Sequence, residues 1–231
     1  MTSYPAGAQT RSEWLVVAAT TLLVVFHYVA RADTIGVFSP ARGWVPLTWG
    51  PLSSARHYVA AAVLLGVLPL LLARGLTRVS LRELGLGHGR WREGLVWLGV
   101  GVPLAILAGW IGSRSAGLRG VYPLDPATPA QLAGFAPYAL AQLLYYGAWE
   151  VLFRGVLLFG LRPRIGAGPA NGVQTALSVL AHFGRALDET AAALPAGLLF
   201  GRIALRTGSI WYIAVVHWLV GVSQDWFILT R

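Results

Sequence analysis

Apolar residues in this chain gather into long continuous runs separated by short polar linkers, unlike the 3.6-residue stripe of a water-soluble helix. Seven runs reach or approach the roughly 20 residues that cross a hydrocarbon core as helix. They cover residues 14–30, 57–73, 94–112, 132–161, 169–183, 191–205 and 210–229. Backbone polar groups in lipid must satisfy one another, so each run predicts a helix and not a lone strand. The fifth and sixth runs are short and interrupted, which predicts positions inside the bundle. The expected fold is therefore all-α and integral to the membrane, with residues 1–231 forming a single bundle of about seven transmembrane helices. The first run reads as a retained anchor: its apolar core is too long for a signal peptide, and no small-residue cleavage site follows it.

The linkers add orientation. Residues 37–54 carry Pro40, Pro46, Pro51, Gly43 and Gly50 among aromatics, which predicts an interfacial loop. Residues 74–93 hold Arg74, Arg78, Arg82, Arg90 and Arg92, and within them SLRELGL (80–86) has the alternation of a short surface helix. Such a concentration of arginine marks a cytoplasmic linker, which with seven spans puts the N-terminus in the cytoplasm too. Arg162, Arg164, Arg202 and Arg206 fall on the same expected side, against Arg42, Arg56, Arg114 and Arg119 on the other. No internal repeat or domain boundary is visible.

Composition agrees with a lipid solvent. The chain is 56% hydrophobic and 12% charged, with a mean hydropathy of +0.62; soluble domains carry about twice that charge. The net charge of +9 raises the question of nucleic acid, but every basic residue is an arginine, and most sit between apolar runs. No basic stripe interleaved with aromatics appears, so the bilayer and its anionic headgroups are the expected partners, with no nucleic acid. The absence of cysteine excludes disulfides, thiolate metal sites and a Cys nucleophile.

Ionisable groups inside such runs cost at least about 2.5–3.5 kcal/mol each and need a reason. Glu150 and Arg154 share a helix face four residues apart, which fits either a self-neutralising buried pair or an activated carboxylate with its counter-ion. His182 and His217 stand in two further runs. One membrane histidine is often only an interhelical hydrogen bonder. Two, with a glutamate on a third helix, can orient a water for attack or hold a metal. His27 and His57 lie toward span ends beside tyrosine and suit the interface, and His88 suits solvent. Glu189 follows His182 by seven residues, the same face if the helix is continuous, although Gly184 threatens to break it. Its plainer partner is Arg185. Asp225 follows His217 by eight residues, as a cap to the site or a solvated helix end.

These motifs resemble those of the CPBP family of intramembrane proteases, the CAAX-protease and bacteriocin-processing type. The resemblance rests on WEVLFRG (149–155), SVLAH (178–182) and HWLVG (217–221), supported by SLRELGL and by GLLFGRIALRTGSIW (197–211), and covers about residues 80–225. It departs from the family pattern at three places. Trp149 stands for the first motif glutamate, Ser178 for a phenylalanine, and Gly221 for an asparagine held to stabilise the oxyanion. The Trp-Glu start, with an acid following in HFGRALDE (182–189), is similar to sorting-type glutamic proteases that cut C-terminal anchors from exported proteins.

The resemblance implies an intramembrane endopeptidase of the glutamic or metallo type in the bacterial inner membrane. Its substrate would be a membrane protein or prenylated peptide cut near its C-terminus. The implied site is Glu150, His182, His217, Glu189 and Arg154. Glu150 and His182, with Glu189, would position a water. His217 would polarise the carbonyl, and Arg154 would fix Glu150. His/Glu sets serve both metal-free and metal chemistry, and the metal the set would hold is zinc, on Glu150, His182 and His217. The alternatives are a catalytically degenerate member that binds a membrane partner or confers immunity and, from another class, a small transporter, for which the repeats expected of that class are missing.

Overall fold

The computed structural model describes the backbone of residues 9–31, 34–39, 43–48, 54–125 and 127–231, and the side chains of 13–30, 54, 56–125 and 127–231. Helix α1 (Gln9–Phe26) widens into a π turn (His27–Arg31), and strands β1 (Thr34–Ser39) and β2 (Gly43–Thr48) follow. Helix α2 (Ser54–Ala61) continues through a π stretch (Ala62–Val67) into α3 (Leu68–Thr77), and α4 spans Trp91–Gly112. A short α5 (Ala116–Arg119) precedes α6 (Leu132–Glu150), which runs on as a π stretch (Val151–Phe159) into α7 (Gly160–Ile165). Helices α8 (Ala167–Ala181), α9 (Leu187–Thr207) and α10 (Trp211–Leu229) complete the bundle.

Five helical stretches among the described residues are long and apolar enough to cross a membrane: Glu13–Ala30, Arg56–Thr77, Trp91–Gly112, Leu132–Ile165 and Trp211–Leu229. The all-α membrane bundle expected from the sequence is thus present, while the count of seven spans is not reproduced. The remaining two runs fall on α8, which has only 15 residues, and on α9, whose first turn carries Asp188 and Glu189 and whose last carries Arg206. Two details differ from expectation. The proline-rich first linker contains an antiparallel hairpin, with Thr34 opposite Thr48 and Ser39 opposite Gly43; Arg42 lies outside the described residues. Residues 80–86 form a single turn instead of a surface helix. There the Glu83 carboxylate accepts from the Ser80 N–H (2.8 Å) and hydroxyl (2.7 Å), while the Glu83 N–H returns a bond to that hydroxyl. These bonds hold the Glu83 carboxyl below its usual range.

Packing explains the arrangement. The most buried segment is the π stretch after Glu150, all nine residues of which are enclosed, and around it α1, α3 and α8 pack. Helix α4 runs parallel to α10 through glycines. A Cβ at Gly94, Gly101, Gly109 or Gly112 would strike Tyr212, Val216, Ser223 or Gln224, so small residues let the two backbones approach. The opposite face of α4 leaves Leu95, Val96, Val100, Leu104 and Leu107 exposed, as a lipid-facing helix requires. Between α8 and α9 the contact is polar: Asn171 Nδ2 donates to the Leu198 carbonyl (3.0 Å) and Gln174 Nε2 to that of Gly197 (3.0 Å). In hydrocarbon, such interhelical amide bonds help to fix helix register.

The two bundle ends differ in charge. The Arg90 N–H donates to the Thr207 carbonyl, Arg206 pairs with Glu93, and the Trp211 indole donates to the Leu86 carbonyl. The 74–93 linker, the α9–α10 turn and the N-terminus of α10 therefore meet at one end, with Arg162 and Arg164 on α7 close by through Phe159 against Gly85. The opposite end holds the 113–131 linker and the α8–α9 turn.

Candidate active site

Glu150 and Arg154 sit where α6 passes into its π stretch, a widened turn of the kind often found at functional sites. Arg154 Nη1 donates to Glu150 Oε1 at 3.0 Å, with both side chains essentially excluded from solvent. The same oxygen accepts from His217 Nδ1 at 2.7 Å. With Oε1 acting as acceptor, Nδ1 of His217 is the donor and Nε2 is left for the cavity. Phe200 supports the trio: its ring lies 5.6 Å from the Arg154 guanidinium and 5.6 Å from the imidazole centroid.

His182 and Glu189 approach from the other wall. His182 ends α8, where Nδ1 lies 2.7 Å from the Ser178 carbonyl. A carbonyl only accepts, so this nitrogen donates and Nε2 again faces away. Gly184, at φ +84°, breaks the helix, and α9 restarts at Leu187. The two residues consequently do not share a continuous helix face. The turn itself brings them together: the Thr190 hydroxyl donates to the His182 carbonyl at 3.0 Å, and Glu189 Oε1 comes to 4.0 Å from His182 Nε2. Arg185 reaches Glu189 through Tyr122, donating to the phenol oxygen (3.2 Å) while the phenol donates to Glu189 Oε1 (3.0 Å). Burial pushes the Tyr122 hydroxyl well above its ordinary range, so it remains a donor.

The two walls enclose a cavity of about 570 Å³ lined by Tyr122, Tyr146, Trp149, His182, Glu189 and His217, among mostly apolar neighbours. Its lining runs from Ala108 and His217 inside the bundle to Ser115, Tyr122 and Asp188 at the end away from the arginine-rich linker. Of the five residues singled out from the sequence, His182, Glu189 and His217 line it, and Glu150 and Arg154 stand behind His217. Glu150 therefore lies against His217. Trp149 packs edge-on to His182 (5.2 Å between ring centroids) and against Phe153 (4.6 Å), with its buried indole N–H lacking a partner. Asp225 does not reach the cavity: it is enclosed elsewhere, accepting from the Tyr138 hydroxyl (2.8 Å) and Gln142 Nε2 (2.5 Å). His57, expected at the interface, is buried with Nδ1 3.2 Å from the Ala30 carbonyl.

The donor set does not suit zinc. Glu150 Oε1 already accepts from two donors, one of them a guanidinium whose charge opposes a cation. Among the described residues no three His, Asp or Glu side chains are grouped to hold a metal ion.

Residues 132–223 match the Rce1-like family, type II CAAX prenyl endopeptidases. The CPBP resemblance seen in the motifs is thus carried by the segment from α6 to α10, which holds all five candidate residues. The match suggests endopeptidase activity within the membrane. No curated protein and no solved structure matches the chain. The sequence reading did not single out Tyr122, in a linker, or Tyr146, in the middle of an apolar run, because neither stands in a charged motif. The spacing of Tyr146 one turn before Glu150 was the available signal.

Proposed function

We propose that the protein hydrolyses a peptide bond near the C-terminus of a membrane-anchored substrate, with the catalytic water seated between His182 and Glu189. The observation that carries this reading is the 4.0 Å gap between His182 Nε2 and Glu189 Oε1 on the cavity wall. That gap is too long for a hydrogen bond. One water can sit at about 2.8 Å from both, with an angle of about 90° between the two bonds. Glu189 accepts a proton as the water oxygen bonds to the scissile carbonyl carbon. His217 in its protonated form, held by Glu150, donates Nε2–H to the carbonyl oxygen as it becomes an oxyanion. Collapse breaks the C–N bond, and the proton held by Glu189 passes to the departing amine. Arg154 fixes Glu150, and Trp149 fixes the plane of His182.

The position of the cavity bears on the substrate. It reaches the bundle end opposite the arginine-rich linker, which by the positive-inside rule is the outer face. This favours an exported protein with a C-terminal membrane anchor over a prenylated chain presented from the cytoplasm. The test is processing of such a substrate in cells carrying His182→Ala or His217→Ala. Each variant should accumulate in the membrane and leave the substrate uncut. Normal processing by either refutes the assignment.

A further inference from the structure

We propose that the Tyr146 hydroxyl is a second oxyanion donor, acting beside His217 in place of any side chain at position 221. This rests on the hydrolytic reading of the cavity. Gly221 lies four residues after His217 on α10, hence on the same helix face one turn along. Both residues line the cavity, and so does Tyr146. A Cβ built on Gly221 would overlap the Tyr146 hydroxyl, with the ring Cζ next at 2.5 Å. The phenol therefore occupies the volume into which a polar side chain at 221 would extend, and glycine is the residue that admits it. The resembling family has an asparagine at this position. Here a hydroxyl arrives at the same spot from α6.

The placement of the ring supports a direct role. Tyr146 precedes Glu150 by four residues, and Arg154 follows by four, so the three form one stripe along α6 and its π extension, opposite α10. The Tyr146 ring packs edge-on to the His217 imidazole, with centroids 4.7 Å apart. The hydroxyl and His217 are thus neighbours on one wall, and His182 and Glu189 face them across the cavity. Such a division is what carbonyl hydrolysis requires: water and base on one side of the scissile carbonyl, hydrogen-bond donors on the other. A phenol, with an ordinary pKa of about 10, keeps its proton at neutral pH. During attack it donates that O–H to the oxygen gaining negative charge, and no bond to Tyr146 forms or breaks.

The experiment uses the full-length protein in vesicles with a reporter bearing a single C-terminal membrane helix, cleavage being followed by mass spectrometry. Tyr146→Phe removes only the hydroxyl, and kcat should fall by about 10²–10³ with KM within about twofold. Tyr146→Ala should lose a comparable amount. Gly221→Asn alone should be inactive because the new side chain meets the phenol. The paired Tyr146→Ala/Gly221→Asn variant should recover at least about tenfold over Tyr146→Ala, since it returns a donor to the same space. A purely structural tyrosine would move melting and not the split between kcat and KM. Wild-type kcat in Tyr146→Phe overturns the proposal. If Tyr146→Phe also loses folding, the paired variant decides: recovery supports the donor role, and no recovery overturns it. Loss of cleavage in His182→Ala beside full activity in Tyr146→Phe removes this inference alone. Equal cleavage by wild type and His182→Ala removes the hydrolytic reading beneath it.

Discussion

Arg154→Ala is the sharpest perturbation of the buried charges. Glu150 has no solvent-accessible surface and Arg154 almost none. The carboxylate is held through Oε1 by Arg154 at 3.0 Å and His217 at 2.7 Å, while Oε2 has no partner. Removing the guanidinium leaves an ionised carboxylate in the bundle with a single donor, and opens a space beside Phe200. Stranding one member of a buried ion pair costs about 3–5 kcal/mol, a large part of the 5–15 kcal/mol that typically holds a fold together. The readout is the unfolding midpoint of purified protein in a mixed-detergent titration. Arg154→Ala should shift it by that amount and abolish cleavage. Glu150→Gln/Arg154→Met discharges both members together and should return the midpoint close to wild type. It should remain inactive, because His217 has lost the carboxylate that positions it. An unchanged midpoint in Arg154→Ala would mean that the pair does not hold the bundle, and the argument from burial would fail.

Glu189→Gln keeps the size and the Tyr122 contact but loses the base, and cleavage should fall by about 10²–10⁴, whereas a change below about tenfold would leave the water with another base. Trp149→Glu restores the residue of the resembling family in a pocket of Tyr145, Phe153 and His182 rings; it should lower stability by at least about 2 kcal/mol and gain no rate. Faster cleavage would show that the wild-type site is a degraded one. For orientation, His88→Cys in the arginine-rich linker should resist an impermeant thiol reagent until cells are permeabilised, while Asp188→Cys should label from outside. Immediate labelling at 88 reverses the assigned orientation.

The helical bundle was legible because hydrocarbon leaves the chain little choice: apolar runs with internally bonded backbones are the only solution. Glu150 with Arg154 was legible for a similar reason, since four-residue spacing survives both the α-helix and the widened turn that follows. Glu189 was located by motif, but its geometry was not readable. Spacing arguments assume a continuous helix, and Gly184 replaces that helix with a turn whose closure depends on Thr190. Asp225 was misplaced for the opposite reason. It shares a helix with His217, yet Tyr138 and Gln142 on α6 bind it in a separate cluster, and no periodicity within one helix reveals what the next helix offers. The contact made by Glu150 was likewise unreadable: only the packing of α10 against α6 shows that its carboxylate meets His217. The turn at 80–86 formed no helix because the Ser80–Glu83 bonds close a single turn that Gly85, at φ +76°, ends.

Peptide-bond hydrolysis in the cavity between α6, α8, α9 and α10 can be measured directly. The direct measurement is cleavage by the purified protein, reconstituted in vesicles, of two reporters: one anchored by a C-terminal helix and exposed on the outer face, the other a farnesylated peptide. Products are identified by mass spectrometry in water enriched in ¹⁸O. The wild type should release a product from the helix-anchored reporter with one ¹⁸O in its new carboxylate, and His182→Ala, His217→Ala and Glu189→Gln should release none above background. Cleavage of neither reporter by the wild type, or equal release by the three variants, would contradict the account.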